Sequence, residues 1–309
     1  MTTLLITHPA SLNHLNGTGH PERPDRIRAI EGILEQEKFQ TLTREQAPLG
    51  ELETAALCHP MEYILEIRKA APKEGMVQLD ADTSMSPGSF EAALRAAGGG
   101  IYAVDEVMAG RVANAFVATR PPGHHTETAR PMGFCLFNNA AIAARYAQKR
   151  YGIDRAAVVD FDVHHGNGSQ DIFWSDKTVM YCSTHQMPLY PGTGARGERG
   201  EHDTVVNAPL SPGDGGAKFR EAFESVILPR LRDFRAELIV ISAGFDAHQR
   251  DPLANLNLVE ADFAWATQKI MEVAQASASS RVVSMLEGGY DLEGLSHSAA
   301  AHVSALMQG

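Results

Sequence analysis

The chain has 309 residues, 44% of them hydrophobic, and a formal net charge of −11 at pH 7. This length and apolar content can bury a large core, and because no linker or charge run divides the chain we predict one domain, with length alone leaving two open. The negative charge excludes a basic surface for nucleic acid or anionic lipid and suits a cationic substrate.

The sequence lacks the features of a secreted or membrane protein and those of a disulfide-rich protein. The N-terminal stretch MTTLLITHPA has no charged segment before a long apolar core, and no run approaches the roughly 20 apolar residues of a membrane span, so we expect a cytoplasmic protein without a membrane partner. The three cysteines, Cys58, Cys135 and Cys182, are odd in number and lack metal-finger spacing, which favours reduced, buried thiols over a disulfide framework.

Short apolar or β-branched runs alternate along the chain with longer segments of helical periodicity. Strands are predicted at 4–8, 115–120, 156–163, 178–184, 238–245 and 282–286. Helices are predicted near 24–37, 60–71, 86–109, 138–150, 216–234, 259–277 and 294–307. Because the strand segments are apolar on both faces, they indicate a parallel sheet buried between helices. The alternation therefore predicts an α/β fold with helices covering an open sheet.

Polar residues follow five of the predicted strands. They are Arg120 with the adjacent histidines His124 and His125, the segments 162–165 and 183–185, Asp246, and the segment 287–290. In an open parallel sheet, ligands bind beyond the carboxyl ends of the strands. We therefore expect these five strand ends to form one site.

The stretch DFDVHHGNG (160–168) indicates a metal site. Side chains alternate along a strand, so Asp160, Asp162 and His164 share one face. Two carboxylates and an imidazole at one strand end would repel and desolvate one another without a cation, and Asp162 and His164 can bind one together with Asp246. Three protein ligands with one open position are typical of catalytic zinc, although the ligand types also admit iron(II), cobalt or manganese.

Such a site predicts hydrolytic chemistry. A metal ion can polarise a carbonyl and lower the pKa of bound water toward ~7. In RPPGHH, one of His124 and His125 can take the proton and pass it to a leaving nitrogen, while the other holds charge and orientation. Asp160 can accept a hydrogen bond from one histidine and fix its tautomer. Tyr290, in the turn LEGGYDL, can donate to the developing oxyanion.

Each motif alone also has a structural explanation. A histidine pair is more often a packing or capping feature, and Gly-Gly before an aromatic residue is ordinary turn chemistry. DxDxHH at the end of an apolar strand is harder to explain by packing, because ionisable groups are seldom buried there without a partner. The joint appearance of these motifs at separate strand ends favours a catalytic site.

At these motifs the sequence resembles the arginase-like, zinc-dependent histone deacetylases, and within them the class II and bacterial deacetylase-like amidohydrolases. Seven segments carry the resemblance: HPERPDRI (20–27), RPPGHH (120–125), GFCLFNN (133–139), VVDFDVHHGNG (158–168), YPGTG (190–194), SAGFDAHQRDPL (242–253) and LEGGYDL (286–292). The resemblance implies one catalytic domain over residues 1–309, with three layers around a central, mostly parallel sheet of eight strands.

The resemblance also implies roles for individual residues. The zinc ligands would be Asp162, His164 and Asp246. His124 and His125 would be the paired histidines, with His125 as the proton shuttle, and Tyr290 would polarise the substrate carbonyl. A structural potassium ion would be bound by Asp160, Ser183 and Thr184, and by the backbone carbonyls of Asp162 and His164.

The substrate path is implied in the same way. The residues predicted to contact substrate are Asp82, Gly133, Phe134, Tyr190, Leu253 and Gly288. Phe134 and Tyr190 would flank a narrow tunnel for an extended acyl-amine chain, and Asp82 would hold substrate backbone or amine at the rim. Arg26 would lie in an inner channel near the released acetate.

Four positions distinguish this chain within the resemblance. Asn167 stands where other members carry Asp, which gives His125 a weaker electrostatic partner. Tyr290 is the residue of active members. Tyr190 replaces the Phe of many relatives and adds a hydroxyl to one tunnel wall. A polyamine-specific branch carries a Glu gatekeeper at the position of Leu253, and an apolar Leu cannot attract a distant cationic amine.

These observations predict hydrolysis of an N-acyl amide, most simply an acetyl-lysine side chain of a peptide or protein. Deacetylation of an acetylpolyamine or another small amine is the alternative within enzymes. An arginase-like ureohydrolase is disfavoured, because a two-manganese site would need more carboxylates. A non-catalytic acyl-lysine binder is disfavoured too, because recognition alone needs no proton shuttle. The sequence leaves the oligomeric state open.

Overall fold

Eight parallel strands form one sheet through the middle of the molecule, which a computed structural model describes over residues 2–309. The strands in chain order are β1 (Thr3–Thr7), β2 (Thr43–Gln46), β3 (Val77–Gln78), β4 (Ser84–Met85), β5 (Asn114–Val117), β6 (Ala156–Asp160), β7 (Val179–Gln186), β8 (Val205–Leu210), β9 (Leu238–Ala243) and β10 (Val282–Leu286). The main sheet has the order β2-β1-β5-β10-β9-β6-β7-β8, while β3 and β4 form a separate antiparallel hairpin.

Helices cover both faces of the sheet. They are α1 (Asp25–Leu34), α2 (Leu52–Ala55), α3 (Met61–Ala70), α4 (Ser89–Met108), α5 (Asn139–Tyr151), α6 (Asn167–Phe173), α7 (Gly216–Ala222), α8 (Leu228–Phe234), α9 (Glu260–Ser277) and α10 (Leu292–Leu306). None of these helices within residues 2–309 has the length and apolar character needed to cross a membrane.

Two apolar cores lie on opposite sides of the sheet. Val159 of β6 packs into a core with residues of α1, α7, α8, α9 and α10, whereas its neighbour Val158 packs into a second core with residues of α3, α4 and α5. Adjacent residues of a strand point to opposite faces, so a strand that is apolar at every position belongs between two helical layers. The predicted three-layer α/β fold with eight strands is confirmed.

The two strands of the main sheet that were not predicted, β2 and β8, are its edges, and the short strands β3 and β4 of the separate hairpin were not predicted either. β2 has the sequence TREQ and is largely exposed, so it lacks the apolar character by which the other strands were identified. An edge strand is paired on one side only and is free to carry polar residues. The pattern of strands buried on both faces therefore predicts the centre of the sheet and misses this edge.

Several element boundaries differ from the prediction. β6 ends at Asp160 rather than at 163, so Asp162 and His164 lie in the segment that follows the strand. The helix predicted over 216–234 is interrupted by a π-helical turn at Phe223–Ile227, just before Pro229. Proline has no backbone N–H to donate, so the regular hydrogen-bond pattern cannot pass through it. β7 continues to Gln186, beyond its predicted end at 184, and Ser183 lies inside the strand, paired with Asp160.

The strands with polar C-terminal ends are neighbours. β5, β10, β9, β6 and β7 stand side by side in the centre of the sheet, and all run in the same direction. Their carboxyl ends consequently open onto one edge. The three cysteines are free, buried thiols, as predicted.

Candidate active site

Asp162, His164 and Asp246 come together where β6 and β9 end. One ligand atom from each lies within 4.8 Å of the others. The Nδ1 atom of His164 is 3.0 Å from Oδ2 of Asp246 and 3.2 Å from Oδ1 of Asp162. Both carboxylates are buried, and His164 is only 8% exposed. This group has the donor atoms, the spacing and the shielding of a site that can hold a metal ion.

The backbone around these three residues fixes the carboxylates. Asp162 accepts hydrogen bonds from the backbone N–H groups of His164 (2.9 Å) and Gly288 (2.8 Å), and Asp246 accepts one from Val163 (2.9 Å). A Cβ atom on Gly288 would lie 2.1 Å from Asp246 Oδ2 and 2.6 Å from Asp162 Oδ2. Only glycine fits beside the pair, so the fold brings the backbone against both carboxylates and leaves their remaining lone pairs to a cation.

Electrostatics in this group also fit a bound cation. Burial, followed by the charge of Asp162, raises the pKa of Asp246 to about 6. Burial opposes the charged form of His164, but its hydrogen bonds to Asp162 and Asp246 prevail and raise the pKa of His164 to about 10. The two buried carboxylates therefore stabilise positive charge in the site. A bound metal ion would supply that charge.

His124 and His125 stack side by side, with ring centroids 4.0 Å apart, and each has a different partner. The Nδ1 atom of His124 is 2.9 Å from Oδ2 of Asp160, whereas Nδ1 of His125 is 2.9 Å from Oδ1 of Asn167. Glu287 accepts hydrogen bonds from the backbone N–H groups of Gly123 (2.7 Å) and His124 (3.2 Å). The pair is therefore held both at its rings and at its backbone.

The different partners separate the charges of the two rings. Burial opposes a charge on His124, but Asp160, Asp162 and Glu287 outweigh it and raise the pKa of His124 well above its ordinary value. Burial, followed by the charge of His124, lowers the pKa of His125 well below its ordinary value. One ring of the pair carries charge and the other stays neutral.

The residues predicted to bind potassium lie next to the histidine pair. Asp160 accepts hydrogen bonds from Tyr181 (3.1 Å) and from the backbone N–H of Asp162 (3.0 Å). Ser183 Oγ is 2.8 Å from Nδ1 of His185. The Oγ1 atom of Thr184 is buried and has no hydrogen-bond partner. A buried hydroxyl without a partner is costly, and a cation beside it would remove that cost.

A cavity of about 220 Å³ leads from the surface to His164. The residues that line it are Asp82, His125, Gly133, Phe134, His164, Leu189, Tyr190, Leu253 and Tyr290. Every residue predicted to contact substrate is among them except Gly288, which lies behind the cavity against the two carboxylates. Leu189 was not predicted, because only the aromatic residue beside it stood out in the sequence.

Left-handed backbone shapes one wall of the cavity. Gly133 and Phe134 have φ values of +58° and +67°. Their N–H groups donate to Asp82 Oδ1 (2.9 Å) and Thr83 Oγ1 (3.0 Å), which holds Phe134 in a conformation that non-glycine residues rarely adopt. A Cβ on Gly133 would lie 2.3 Å from the His125 ring, so the wall passes directly over that histidine.

Tyr190 forms the facing wall. Its ring meets His125 edge-on at 5.2 Å between centroids. Burial, followed by the nearby charge of Asp82, raises the pKa of the Tyr190 hydroxyl, which therefore stays protonated. The hydroxyl that this chain carries in place of a phenylalanine hydrogen is thus a neutral donor in the tunnel wall.

Tyr290 closes the inner end of the cavity, and Arg26 lies behind it. Arg26 is fully buried and donates to the backbone carbonyls of Gly289 (2.6 Å) and Glu287 (2.5 Å). Its guanidinium carbon is 5.0 Å from the centre of the Tyr290 ring. The residue predicted for an inner channel therefore holds the turn that carries Tyr290.

A buried ion pair supports this region and was not predicted. Glu22 and Arg120 are both fully buried and form two hydrogen bonds with each other, and Glu22 also pairs with Arg26 at 3.1 Å. Burial opposes the charge on Glu22, but Arg120 and His14 lower its pKa well below the ordinary value. Glu22 and Arg120 belong to HPERP and RPPG, but their pairing depends on the fold and has no signal in residue spacing.

Taken together, the parallel sheet, the buried Asp-His-Asp group and the histidine pair at the strand ends define an α/β protein with a candidate hydrolytic metal centre. The sequence profile of the histone deacetylase domain matches residues 20–306. An uncharacterized protein of Synechocystis sp. is 43% identical over 96% of this chain and 96% of its own length. A histone deacetylase-like amidohydrolase of Pseudomonas aeruginosa is 39% identical over 88% of this chain and 73% of its own length.

A solved structure agrees with this assignment. The crystal structure of the HDA15 HD domain superimposes with a TM-score of 0.94 at 35% identity, covering 99% of this chain and 88% of that one. The chain belongs to the histone deacetylase family. This family is generally metal-dependent, and the group formed by Asp162, His164 and Asp246 can bind the ion.

Proposed function

We propose that this protein is a zinc-dependent amidohydrolase that removes acetyl groups from acetylated amines, with the acetyl-lysine side chain of a peptide or protein as its substrate. One observation carries the proposal: the cavity of about 220 Å³ has apolar walls and reaches His164, with His125 and Tyr290 lining it beside that residue. A long side chain entering this cavity brings its terminal amide to the only polar groups at the inner end of its lining.

The metal centre belongs to this proposal. Asp162, His164 and Asp246 would hold Zn²⁺, which when bound supplies Lewis acidity toward the amide carbonyl and the attacking water. A potassium ion is proposed at Asp160, Ser183 and Thr184, with the backbone carbonyls of Asp162 and His164. The buried Thr184 hydroxyl without a partner supports that second site.

The protein side chains divide the proton transfers between them. His125 accepts a proton from the attacking water at Nε2, because its Nδ1 faces Asn167. As water adds to the carbonyl carbon, the Tyr290 hydroxyl donates a hydrogen bond to the oxygen that gains negative charge. His125 then gives its proton to the amine nitrogen as the C–N bond breaks, which releases acetate and the free amine. His124, paired with Asp160, supplies fixed charge beside the reaction.

The walls of the tunnel favour a lysine side chain over a polyamine. Phe134, Tyr190 and Leu253 offer apolar surface to the four methylene groups of acetyl-lysine. Asp82 is the only carboxylate in the lining, and the Thr83 hydroxyl and the Gly133 N–H both donate to its Oδ1. The Tyr190 hydroxyl also interacts with this carboxylate. At the rim, the Asp82 carboxylate can accept from a peptide N–H. A second cationic amine, as in an acetylpolyamine, would have Leu253 where a carboxylate would be needed.

The proposal is tested by comparing kcat/KM of zinc-loaded protein on an acetyl-lysine peptide and on an acetylated polyamine at equal pH and salt. We expect a clear preference for the peptide. A preference for the polyamine would overturn the substrate assignment while leaving the hydrolase intact. Binding of the acetyl-lysine peptide without release of acetate, by protein whose zinc content is verified by elemental analysis, would overturn the catalytic assignment and leave an acyl-lysine binder.

A further inference from the structure

A chain of three side chains connects His125 to the surface of the protein. His125 Nδ1 lies 2.9 Å from Asn167 Oδ1, and Asn167 Nδ2 donates to Glu127 Oε1 at 2.8 Å. We propose that Glu127 is a positioning residue that sets the tautomer of His125 through Asn167. This inference rests on the proposed function, in which His125 moves the proton.

The direction of the chain follows from which atoms can donate. An ionised carboxylate only accepts, so the NH₂ group of Asn167 must face Glu127 and its carbonyl oxygen must face His125. A carbonyl oxygen also only accepts, so the proton of the neutral His125 ring must sit on Nδ1. Nε2 is then the nitrogen without a proton, which is the form that can act as a base.

Asn167 cannot set this direction by itself. An amide presents an oxygen on one side and a nitrogen on the other, and the two orientations occupy the same space. With the amide turned round, its NH₂ group would meet Nδ1, and the His125 proton would move to Nε2, where it blocks base catalysis. The neighbours of Nδ2 decide between the two orientations. They are the Glu127 carboxylate and the Met132 sulfur at 3.3 Å, both of them acceptors.

The loop that carries Glu127 is tied to the helix that carries Asn167. Thr128 donates from its N–H (2.8 Å) and its hydroxyl (2.6 Å) to Oδ2 of Asp171 in α6. The N–H of Glu127 donates to the carbonyl of Arg130 at 3.1 Å, which closes a tight turn. Asn167 is the first residue of α6, so both ends of the Glu127–Asn167 hydrogen bond are positioned by one short helix.

Burial differs along this chain of side chains. His125 and Asn167 are 4% and 5% exposed, whereas Glu127 is half-buried at the surface end of the chain. Water can solvate the Glu127 carboxylate, while the neutral Asn167 amide determines which nitrogen of the buried His125 ring carries the proton.

The tautomer itself is the decisive measurement. Nitrogen NMR of zinc-loaded protein labelled with ¹⁵N-histidine, recorded at pH 8, distinguishes a proton on Nδ1 from one on Nε2, and loss of one signal in His125→Ala assigns the ring. We expect Nδ1–H in the wild type. In Glu127→Gln the acceptor-only end becomes an amide that can face either way, so we expect part of the His125 signal to change to Nε2–H. We expect kcat to fall about 10-fold with KM within about twofold, the scale of a lost orienting partner.

A rescue and a control complete the design. A carboxylate at position 167 accepts from Nδ1 directly, and a glutamine at position 127 can donate to it, so the double variant Glu127→Gln/Asn167→Asp should regain the Nδ1–H tautomer of His125 and a kcat above that of Glu127→Gln. The single variant Asn167→Asp sets two carboxylates at the 2.8 Å contact and is therefore not used for this comparison. Glu237→Gln is the matched control, because Glu237 is also half-buried and accepts backbone hydrogen bonds, from Asp154 and Arg155. It should change neither measurement.

Two outcomes are separable. An unchanged His125 tautomer in Glu127→Gln overturns the role of Glu127, whatever the activity of that variant. Full turnover by His125→Ala, in contrast, would overturn the proton shuttle of the proposed function while leaving the tautomer result standing.

Discussion

Asp251 accepts a hydrogen bond from the backbone N–H of Tyr290 at 2.7 Å. The other oxygen of the same carboxylate accepts from the backbone N–H of Leu253 at 2.9 Å. Asp251 is 8% exposed, so water offers little replacement for either bond. One side chain therefore links the inner end of the tunnel to its outer wall.

We expect Asp251→Ala to lower kcat and raise KM together, because the variant releases Tyr290 and Leu253 at once. Leaving these N–H groups without acceptors should also lower the free energy of unfolding by about 1–3 kcal/mol. Steady-state kinetics and urea unfolding measure the two effects. Asp251→Asn keeps one acceptor and should lie between alanine and wild type. Kinetic constants of Asp251→Ala within twofold of wild type would contradict the link.

Removing the proton-transfer groups should affect turnover far more than folding. We expect kcat to fall by roughly 10²–10⁴ in His125→Ala and by roughly 10²–10³ in Tyr290→Phe, the usual cost of losing a general base or an oxyanion donor. Circular dichroism and zinc content should match the wild type. A loss of only a few-fold in either variant would show that the reaction does not use that residue.

Metal content tests the candidate ligands without any assay of activity. Asp246→Ala removes one of three buried donors, so we expect the protein to retain far less zinc after dialysis, measured by elemental analysis. Asp233→Ala, at an exposed position in α8, is the control and should keep its zinc. Equal zinc in both variants would remove Asp246 from the ligand set.

Charge at the tunnel wall should select the substrate. Leu253→Glu places a carboxylate where a second amine of a polyamine would lie, so we expect the ratio of kcat/KM for an acetylated polyamine to that for an acetyl-lysine peptide to rise about tenfold, which is about 1.4 kcal/mol. Leu253→Gln has a side chain of similar size without the charge and should change the ratio little. An unchanged ratio in Leu253→Glu would show that this position does not select substrate.

His302 is a buried histidine outside the lining of the tunnel. Its pKa predicts how the free energy of unfolding changes at acid pH. Burial lowers the pKa of His302 to about 3 from an ordinary value of 6.5. The Thr267 hydroxyl donates to a backbone carbonyl and therefore accepts from Nδ1 of His302, which leaves Nε2 of the neutral ring to accept from Ser284. The unfolded chain takes up the proton first, so stability from this group is full above pH 6.5 and is lost as pH falls toward 3.

We expect His302→Gln to reduce the slope of unfolding free energy against pH by up to about 1.4 kcal/mol per pH unit between pH 4 and 6. Urea unfolding at several pH values measures the slope. The exposed His297 supplies the control variant His297→Gln, whose slope should match the wild type. An unchanged slope in His302→Gln would show that this ring is not the group that titrates on unfolding.

The centre of the site could be predicted from sequence because the carboxyl ends of parallel strands lie at one edge of the sheet, where ligands bind. Asp162 and Asp246 are distant in the chain, but each follows a buried apolar run, and these runs became the neighbours β6 and β9. Asp162 and His164 lie beyond the end of β6, while their neighbours Phe161 and Val163 pack into the core. The alternating pattern therefore predicted which residues face the site, although these residues are not part of the strand.

The partners outside the strands could not be predicted in this way. Glu127, Asp251 and Glu287 lie in loops or turns, where each accepts a hydrogen bond. The path of such a loop does not follow from any periodic pattern of apolar residues. All three lie in or next to motifs that stood out in the sequence, but their hydrogen bonds depend on how separate loops meet. The polar strand β2 was missed for a related reason, since an edge position imposes no apolar pattern.

The hydrogen bond from Arg26 to Gly289 spans 263 residues of sequence, and this has a consequence for synthesis. A ribosome delivers the N-terminal part of a domain first, at roughly 5–20 residues per second. Arg26 of α1 must therefore wait for β10 and the glycine turn after it before it can hold the turn that carries Tyr290. The candidate active site is therefore incomplete in a growing chain and forms only once the C-terminal part of the sheet has emerged and joined the rest.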